Sequence, residues 1–287
     1  MISLFIMYSP DRLPQLRTML RCMEDMDLYH ECQKIIVADE VCNVQPDGFD
    51  VVVVPRPTGQ FNWSAMWKAG VEECKFENIL YLDSDRILPK NYLTLVHENM
   101  APGRSLFCGS LFNFKDYHDP EVILGYRDLD LQDILCDWEK YKLVFDYDPR
   151  WRLPIHGPGK GPASGNMAFT KADFWKVGGV DPWYEGHGAY ADTDLHKSLH
   201  EAGVEFHDLD VPEFHLRHPK LGEDDEELTM KDIEVLSLNN YVYHCHKWSL
   251  GYNQPRMIAS WLNLSRDFVD RVLEQINTGD YFTPIWT

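Results

Sequence analysis

No stretch of this chain stays apolar long enough to cross a bilayer; none approaches the roughly 18 uninterrupted apolar residues that a spanning helix needs. The opening Ile2-Ser3-Leu4-Phe5-Ile6-Met7-Tyr8 is too short for the apolar region and cleavage site of a secretory signal, and it reads as a first strand. Positive charge is scarce too. Against 46 Asp and Glu stand 27 Lys and Arg, a formal net charge of -19, which argues against duplex nucleic acid or an anionic membrane as the main partner. A phosphate ester would need local cations here, and a divalent metal supplies them where side chains are few. The seven cysteines are odd in number, scattered and without Cys-x-x-Cys spacing. That excludes a disulfide framework or zinc ribbon as an expectation and fits a reducing, cytoplasmic setting.

What remains is the composition of a soluble globular chain, 44% hydrophobic and 25% charged, long enough at 287 residues for one large α/β domain with a C-terminal extension. No internal repeat or low-complexity segment interrupts it. Strand and helix signals alternate over the first hundred residues, as in a parallel sheet with crossover helices. Strands are expected at Ile2–Tyr8, Lys34–Ala38, Val51–Val54 and Asn78–Leu82, with helices from about Arg12 to Met26 and about Asn62 to Cys74. Ser9-Pro10-Asp11 is a helix start signal, and Leu13, Leu16, Leu20 and Met23 follow at helical spacing.

The run from Ile79 to Leu82 ends in Asp83-Ser84-Asp85. Ligands of open α/β sheets bind beyond the carboxyl ends of the strands, and residues two apart on an extended chain face the same way. The pair is placed to address one hard cation, or a cation and a sugar hydroxyl; a turn or helix N-cap is the plain alternative. Asp39 closes the second strand in the same manner, either accepting hydrogen bonds from a base or ribose or sitting in a solvated turn.

Residues 105 to 162 are less regular and rich in aromatics, and they suggest acceptor-side territory. Gly157 to Pro162, with three Gly and two Pro, reads as a loop or lid but not a P-loop, since Lys160 is not followed by Ser or Thr. Beyond it, Ser164 to Phe169 looks like a strand with a close backbone approach at Gly165, and Lys171 to Val177 like a helix ended by Gly178-Gly179. A polar run, Tyr184 to Asp194, leads into a helix carrying Leu195 and Leu199 and closed by Gly203, followed by a strand at Val204–His207. His215 and His218 then stand three apart before Pro219, as metal ligands or as ordinary surface imidazoles. His244, Cys245 and His246 have no identifiable activating partner and read as core.

Taken together, these blocks resemble the metal-dependent GT-A glycosyltransferases that use nucleotide sugars, and within them the β-1,4-galactosyltransferase-like group. Phe61-Asn62-Trp63 through Gly70-Val71 resembles that group's Phe-Asn segment, with Lys68 where Asn is usual. Asp83-Ser84-Asp85 matches the DxD element. Val177-Gly178-Gly179-Val180-Asp181 through Asp192-Thr193-Asp194 resembles the stretch ending Glu-Asp-Asp-Asp, although Ala191 stands at the Glu position and one residue is extra between Gly188 and Asp192. His215-Leu216-Arg217-His218 resembles Met-Ile-Arg-His, whose first and last residues bind the metal.

The resemblance covers roughly residues 1 to 220. It implies a GT-A, Rossmann-like, mainly parallel sheet flanked by helices over 1–228. The nucleotide-binding half would be about 1–104 and the acceptor half about 105–228, with a helical extension over 229–287. It implies inverting transfer of a hexose or N-acetylhexosamine from a nucleotide diphosphate-sugar, a UDP-sugar by expectation, to a hydroxyl of a glycan or glycoconjugate. Asp85, His215 and His218 would hold Mn2+, with Mg2+ as substitute. One carboxylate, two imidazoles and phosphate oxygens suit manganese better than calcium, and a structural zinc would want a fourth protein ligand. Asp192 would be the general base, or else a helix N-cap. Asp83, Tyr8, Pro10, Asp39, Arg56 and Asn62 would line the donor side; Trp183, Tyr184, His187 and Gly188 would face the sugars. The alternatives are a nucleotidyltransferase, disfavoured because Ser9-Pro10-Asp11-Arg12 lacks glycine, and a non-catalytic binding module on the same scaffold.

Overall fold

A computed structural model describes residues 1–38, 44–55, 62–108, 110–116, 119–148, 165–182, 184, 190–218, 240, 243, 244, 247, 248 and 274. The strands are β1 (Ile2–Tyr8), β2 (Gln33–Ala38), β3 (Phe49–Val53), β4 (Asn78–Asp83), β5 (Arg86–Ile87), β6 (Arg104–Phe107), β7 (Ser110–Phe114), β8 (Phe145–Asp148), β9 (Asn166–Thr170), β10 (Glu205–Asp208) and β11 (Pro212–His215). The helices are α1 (Leu13–Met23), α2 (Trp63–Glu73), α3 (Tyr92–Asn99), α4 (Pro120–Arg127), α5 (Leu131–Cys136), α6 (Trp138–Tyr141), α7 (Lys171–Lys176) and α8 (Ala191–Glu201).

Among the described residues the main sheet runs β10-β6-β9-β4-β1-β2-β3, and a smaller one runs β5-β11-β7-β8. In the main sheet β1 pairs in parallel with β2 and β4, and β9 alone is reversed, against β4 and β6. β1 is buried at every position, which is why it reads as an unbroken apolar run rather than an alternation. Its Leu4, Ile6 and Tyr8 face a layer containing Leu16 and Met19 of α1 and Leu93 of α3. Phe5 and Met7 face the opposite layer, with Met66, Trp67 and Val71 of α2 and Leu195 and Leu199 of α8. The sheet is therefore the middle of three layers.

The region from 105 to 162 contains more regular structure than its sequence suggests. Among the described residues, its Phe112, Phe114 and Phe145 form a buried cluster with Phe214 of β11, and Phe112 is stacked on Tyr147 at 4.9 Å between ring centres. Gly178 and Gly179, both at positive φ, end α7 as expected. No helix among the described residues is long and apolar enough to cross a membrane.

Candidate functional site

β4 carries its apolar run to Leu82 and delivers Asp83 to the edge of the main sheet, where the Asp83 N–H donates to the Gly165 carbonyl at 2.8 Å. After two intervening residues the chain re-enters a sheet as β5, but in the smaller one. Ser84-Asp85 is thus the step between the two sheets. Antiparallel pairing of β5 with β11 sets Arg86 opposite His215, and parallel pairing of β11 with β7 sets His215 beside Asn113. The Leu216 N–H donates to the Asp85 carbonyl at 2.9 Å and ties the turn to the end of β11. Strand register, over a separation of more than a hundred residues, is what brings the acid and the imidazole together.

Asp85 Oδ2 lies 3.5 Å from His215 Nε2 and 3.3 Å from His218 Nε2, and the two Nε2 atoms are 3.1 Å apart. His215 Nδ1 lies 2.8 Å from Asn113 Oδ1, an acceptor that favours a proton on Nδ1, while Nε2 faces the carboxylate. His218 is placed less directly: buried Gln15 on α1 donates to the Arg217 carbonyl at 3.0 Å. Burial, then the nearby Arg86 charge, hold His215 below its ordinary pKa. Burial alone would raise Asp85, but His215, Arg86 and Arg12 outweigh it and hold the carboxyl well below the usual range. Three ligand atoms converging within 4.8 Å are a set that can hold a metal ion. Neighbouring ligands on an octahedral cation with bonds of about 2.1 Å lie about 3.0 Å apart, close to the spacings seen here. The residues fit such an ion, and the two imidazoles favour a transition metal over calcium.

The cluster opens on a cleft of about 290 Å³ lined by Met7, Ser9, Asp11, Arg12, Trp63 and the turn Asp83 to Arg86, with His215 and His218. Asp83 Oδ1 accepts from Tyr81 Oη, and burial, reinforced by Asp85, raises its carboxyl to about 6. Asp192 adds to that rise, so the first turn of α8 brings its charge close to Asp83.

Behind the turn lies a group that sequence reading missed. The Arg86 guanidinium is buried and sits 3.2 Å from Asp85 Oδ1, 3.8 Å from Asp83 Oδ2 and 3.4 Å from Glu213 Oε1. Glu213 also accepts from Asn166 Nδ2, and Asn166 Oδ1 accepts from Tyr92 Oη at 2.9 Å. Gly165, at φ +121°, is the close backbone approach expected from the sequence: a Cβ there would stand 2.5 Å from Arg86 Nε. Removing one member of a buried ion pair costs about 3–5 kcal/mol, because the partner is left charged and dry. The signal for Arg86 and Glu213 was weak, a charged residue at each of two strand ends, and pairing information was needed to join them.

Several expected donor and sugar contacts are placed elsewhere. Tyr8 is fully buried in the core beside Ile6, because alternation along β1 turns it away from the edge; Met7 and Ser9 line the cleft instead. Pro10 begins the short 3₁₀ turn Pro10–Arg12, which presents Asp11 and Arg12. Asn62 caps α2, accepting from the Ala65 N–H at 2.9 Å, and its neighbour Trp63 reaches the cleft. Tyr184 is no sugar floor: it is fully buried and donates to Asp194 Oδ1 at 3.2 Å. Neither Asp192 nor Asp194 is the N-cap of α8; Tyr190 is, at φ 83° and without a side-chain cap. Asp194 instead accepts from Lys247 Nζ and Trp248 Nε1, each at 2.7 Å. Asp39, Arg56, Trp183, His187, Gly188 and the Gly157 to Pro162 loop lie outside the described residues.

The sequence matches no protein-family model and no curated protein. Solved structures do resemble it in shape. GalNAc-T7 with UDP, GalNAc and Mn2+ aligns with 97% of this chain at 10% identity and a TM-score of 0.52; the alignment spans 58% of that protein's length, under two thirds of it. The mannosyltransferase PcManGT from Pyrobaculum calidifontis, with GDP-Man and Mn2+, aligns with 99% of this chain and 76% of its own at 12% identity and a TM-score of 0.50. At such identities the likeness is one of fold: a mainly parallel central sheet flanked by helices, with the acidic turn at its edge, is the GT-A fold.

Proposed function

We propose that this protein is a metal-dependent, inverting glycosyltransferase of the β-1,4-galactosyltransferase-like type. It would move a hexose or N-acetylhexosamine from a nucleotide diphosphate-sugar to an acceptor hydroxyl. The observation that carries the reading is the convergence of Asp85, His215 and His218 at the edge of a GT-A sheet, on a cleft shared with Asp83. The two structural neighbours were solved with Mn2+ together with UDP in one case and GDP-Man in the other. Since they differ in base, the fold leaves the nucleotide open, and a UDP-sugar rests on the sequence resemblance.

Asp85, His215 and His218 would hold the cation, Mn2+ before Mg2+, with Asn113 fixing the His215 tautomer. When bound, such a cation supplies Lewis-acid stabilisation of the negative charge that builds on the leaving diphosphate. Asp83, beside the metal cluster but engaged with Tyr81 and Arg86, would orient the ribose or donor sugar. Asp192 would take the proton of the acceptor hydroxyl on its carboxylate as that oxygen attacks the anomeric carbon from the face opposite the diphosphate. A single displacement of this kind inverts the anomeric configuration. Arg12, 3.7 Å from Asp85 Oδ2, adds positive charge at the phosphate side of an otherwise acidic molecule. With Ala191 in place of the motif Glu and Tyr184 buried, the acceptor would differ from that of the β-1,4-galactosyltransferases.

A screen of UDP- and GDP-sugars in MnCl2, with and without mono- and disaccharide acceptors, tests the reading by release of nucleoside diphosphate. Acceptor-stimulated release from one donor, with an inverted anomeric centre in the product, is expected. A product of retained configuration would remove Asp192 as base, and turnover only of nucleoside triphosphates would replace the reading with nucleotidyl transfer.

A further inference from the structure

The two oxygens of Asp85 face different ways. Oδ2 looks toward the cleft, at 3.5 Å and 3.3 Å from the two histidine Nε2 atoms. Oδ1 is buried, makes no hydrogen bond among the described residues, and meets Arg86 Nε at 3.2 Å. The guanidinium cannot easily turn away. Glu213 holds Nη1 at 3.4 Å, Asp83 approaches Nη2 at 3.8 Å, and the Cα of Gly165 closes the remaining side, where an added Cβ would fall 2.5 Å from Nε. Glu213 is fixed in turn by Asn166. A carboxylate gripped in this way from behind has one oxygen left for a cation in front.

We propose that Arg86 makes Asp85 a one-oxygen ligand and thereby sets which divalent cation the site accepts. Two imidazole nitrogens and a single carboxylate oxygen satisfy Mn2+ with the remainder of its shell from water or phosphate. Ca2+ takes about six to eight oxygens, often with both oxygens of a carboxylate, and this site withholds the second oxygen. Arg86 is not one of the three converging ligands; it is a positioning residue for selectivity. The inference rests on the metal-binding reading above and adds to it the residue that discriminates between ions.

The test is calorimetric titration of the full chain with MnCl2 and with CaCl2, in the absence of any donor, and the readout is the ratio of the two affinities. Arg86→Met combined with Glu213→Gln removes the guanidinium without leaving Glu213 charged and unpaired. Arg86→Lys keeps the charge but loses the planar fork that reaches Oδ1. In both variants the preference for Mn2+ over Ca2+ is expected to narrow by about ten- to a hundredfold, the size of effect that outer-shell partners of a metal site exert. A wild-type ratio in Arg86→Lys, or in the folded double variant, overturns the inference while leaving the metal site standing. If the double variant does not fold, by thermal melting followed by circular dichroism, Arg86→Lys carries the test alone. Failure of the wild-type chain to bind Mn2+ at all overturns the metal-binding reading itself.

Discussion

At the scale of single residues, the proposed function separates groups that would hold from groups that would react. Asn113 Oδ1 meets the far nitrogen of His215 at 2.8 Å and so favours a proton on that nitrogen, leaving the other to face Asp85. Asn113→Ala is expected to weaken Mn2+ binding about 10–100-fold with the ligands intact, measured by titration of the free protein. Asp192 is the reverse case. Asp192→Asn should lower transfer by about 10²–10⁴-fold while donor affinity stays as it was; equal loss of both would mean that it binds rather than reacts. Residue type and spacing left Asp83, Asp85, His215 and His218 with plain alternatives, and it was the resemblance that grouped them; Asp85, His215 and His218 do converge. Arg86, Gln15 and Asn113 were not legible, because each matters through the partner that pairing or packing assigns to it. Tyr8 and Tyr184 show the opposite error: expected at the donor side and against the sugars respectively, both have their rings in the core.

At the scale of elements, α2 and α8 hold the site from one side of the main sheet. Trp67 is the centre of that packing, 4.0 Å from the Tyr81 ring and 5.4 Å from Phe5 between ring centres. Trp67→Ala should cost about 3–5 kcal/mol, read as a lower urea midpoint. α8 is tied down at its first turn by Asp194, which takes Lys247 and Trp248, while Asp181 takes Tyr243 Oη at 3.0 Å. Asp194→Asn weakens the hold on that C-terminal segment and on the turn carrying Asp192. Faster limited proteolysis between residues 229 and 287, with the rest of the chain intact, is the expected outcome; an unchanged rate would leave Asp194 a local contact only. The strands of the first hundred residues were legible almost to the residue, since apolar runs bounded by Gly, Pro and Asp leave little choice. The second sheet was not. β5 is only Arg86–Ile87, and two residues carry no periodicity that could announce a strand.

At the scale of the whole molecule, acid exceeds base, and among the described residues the buried cations Arg86 and Arg127 each serve several carboxylates. Arg127, on α4, donates to Asp25 at 2.6 and 3.2 Å, to Asp128 at 3.0 and 2.9 Å, and to the Cys22 carbonyl at 2.6 Å, joining α4 to the end of α1. The Arg127 hydrogen bond, against some burial, holds Asp25 below its ordinary pKa. A depressed carboxyl contributes stability that is full above its unfolded pKa and is lost as the pH falls through its folded pKa. Asp25→Asn should therefore be less stable than wild type at pH 7, and the gap should close below about pH 4 in urea melts. A gap that is constant with pH would assign the effect to shape rather than charge.

The claim that organises all three scales is that Asp85, His215 and His218 hold a cation which sugar transfer requires. It is tested most directly by nucleoside diphosphate release, from the donor that the screen identifies, by wild type, Asp85→Asn and His215→Ala side by side. Each would be assayed in MnCl2, then in EDTA, then with MnCl2 restored. Wild type should turn over in Mn2+, stop in EDTA and recover, while both variants stay silent throughout. Wild-type turnover that EDTA leaves untouched, or an Asp85→Asn variant as active as wild type, would contradict it.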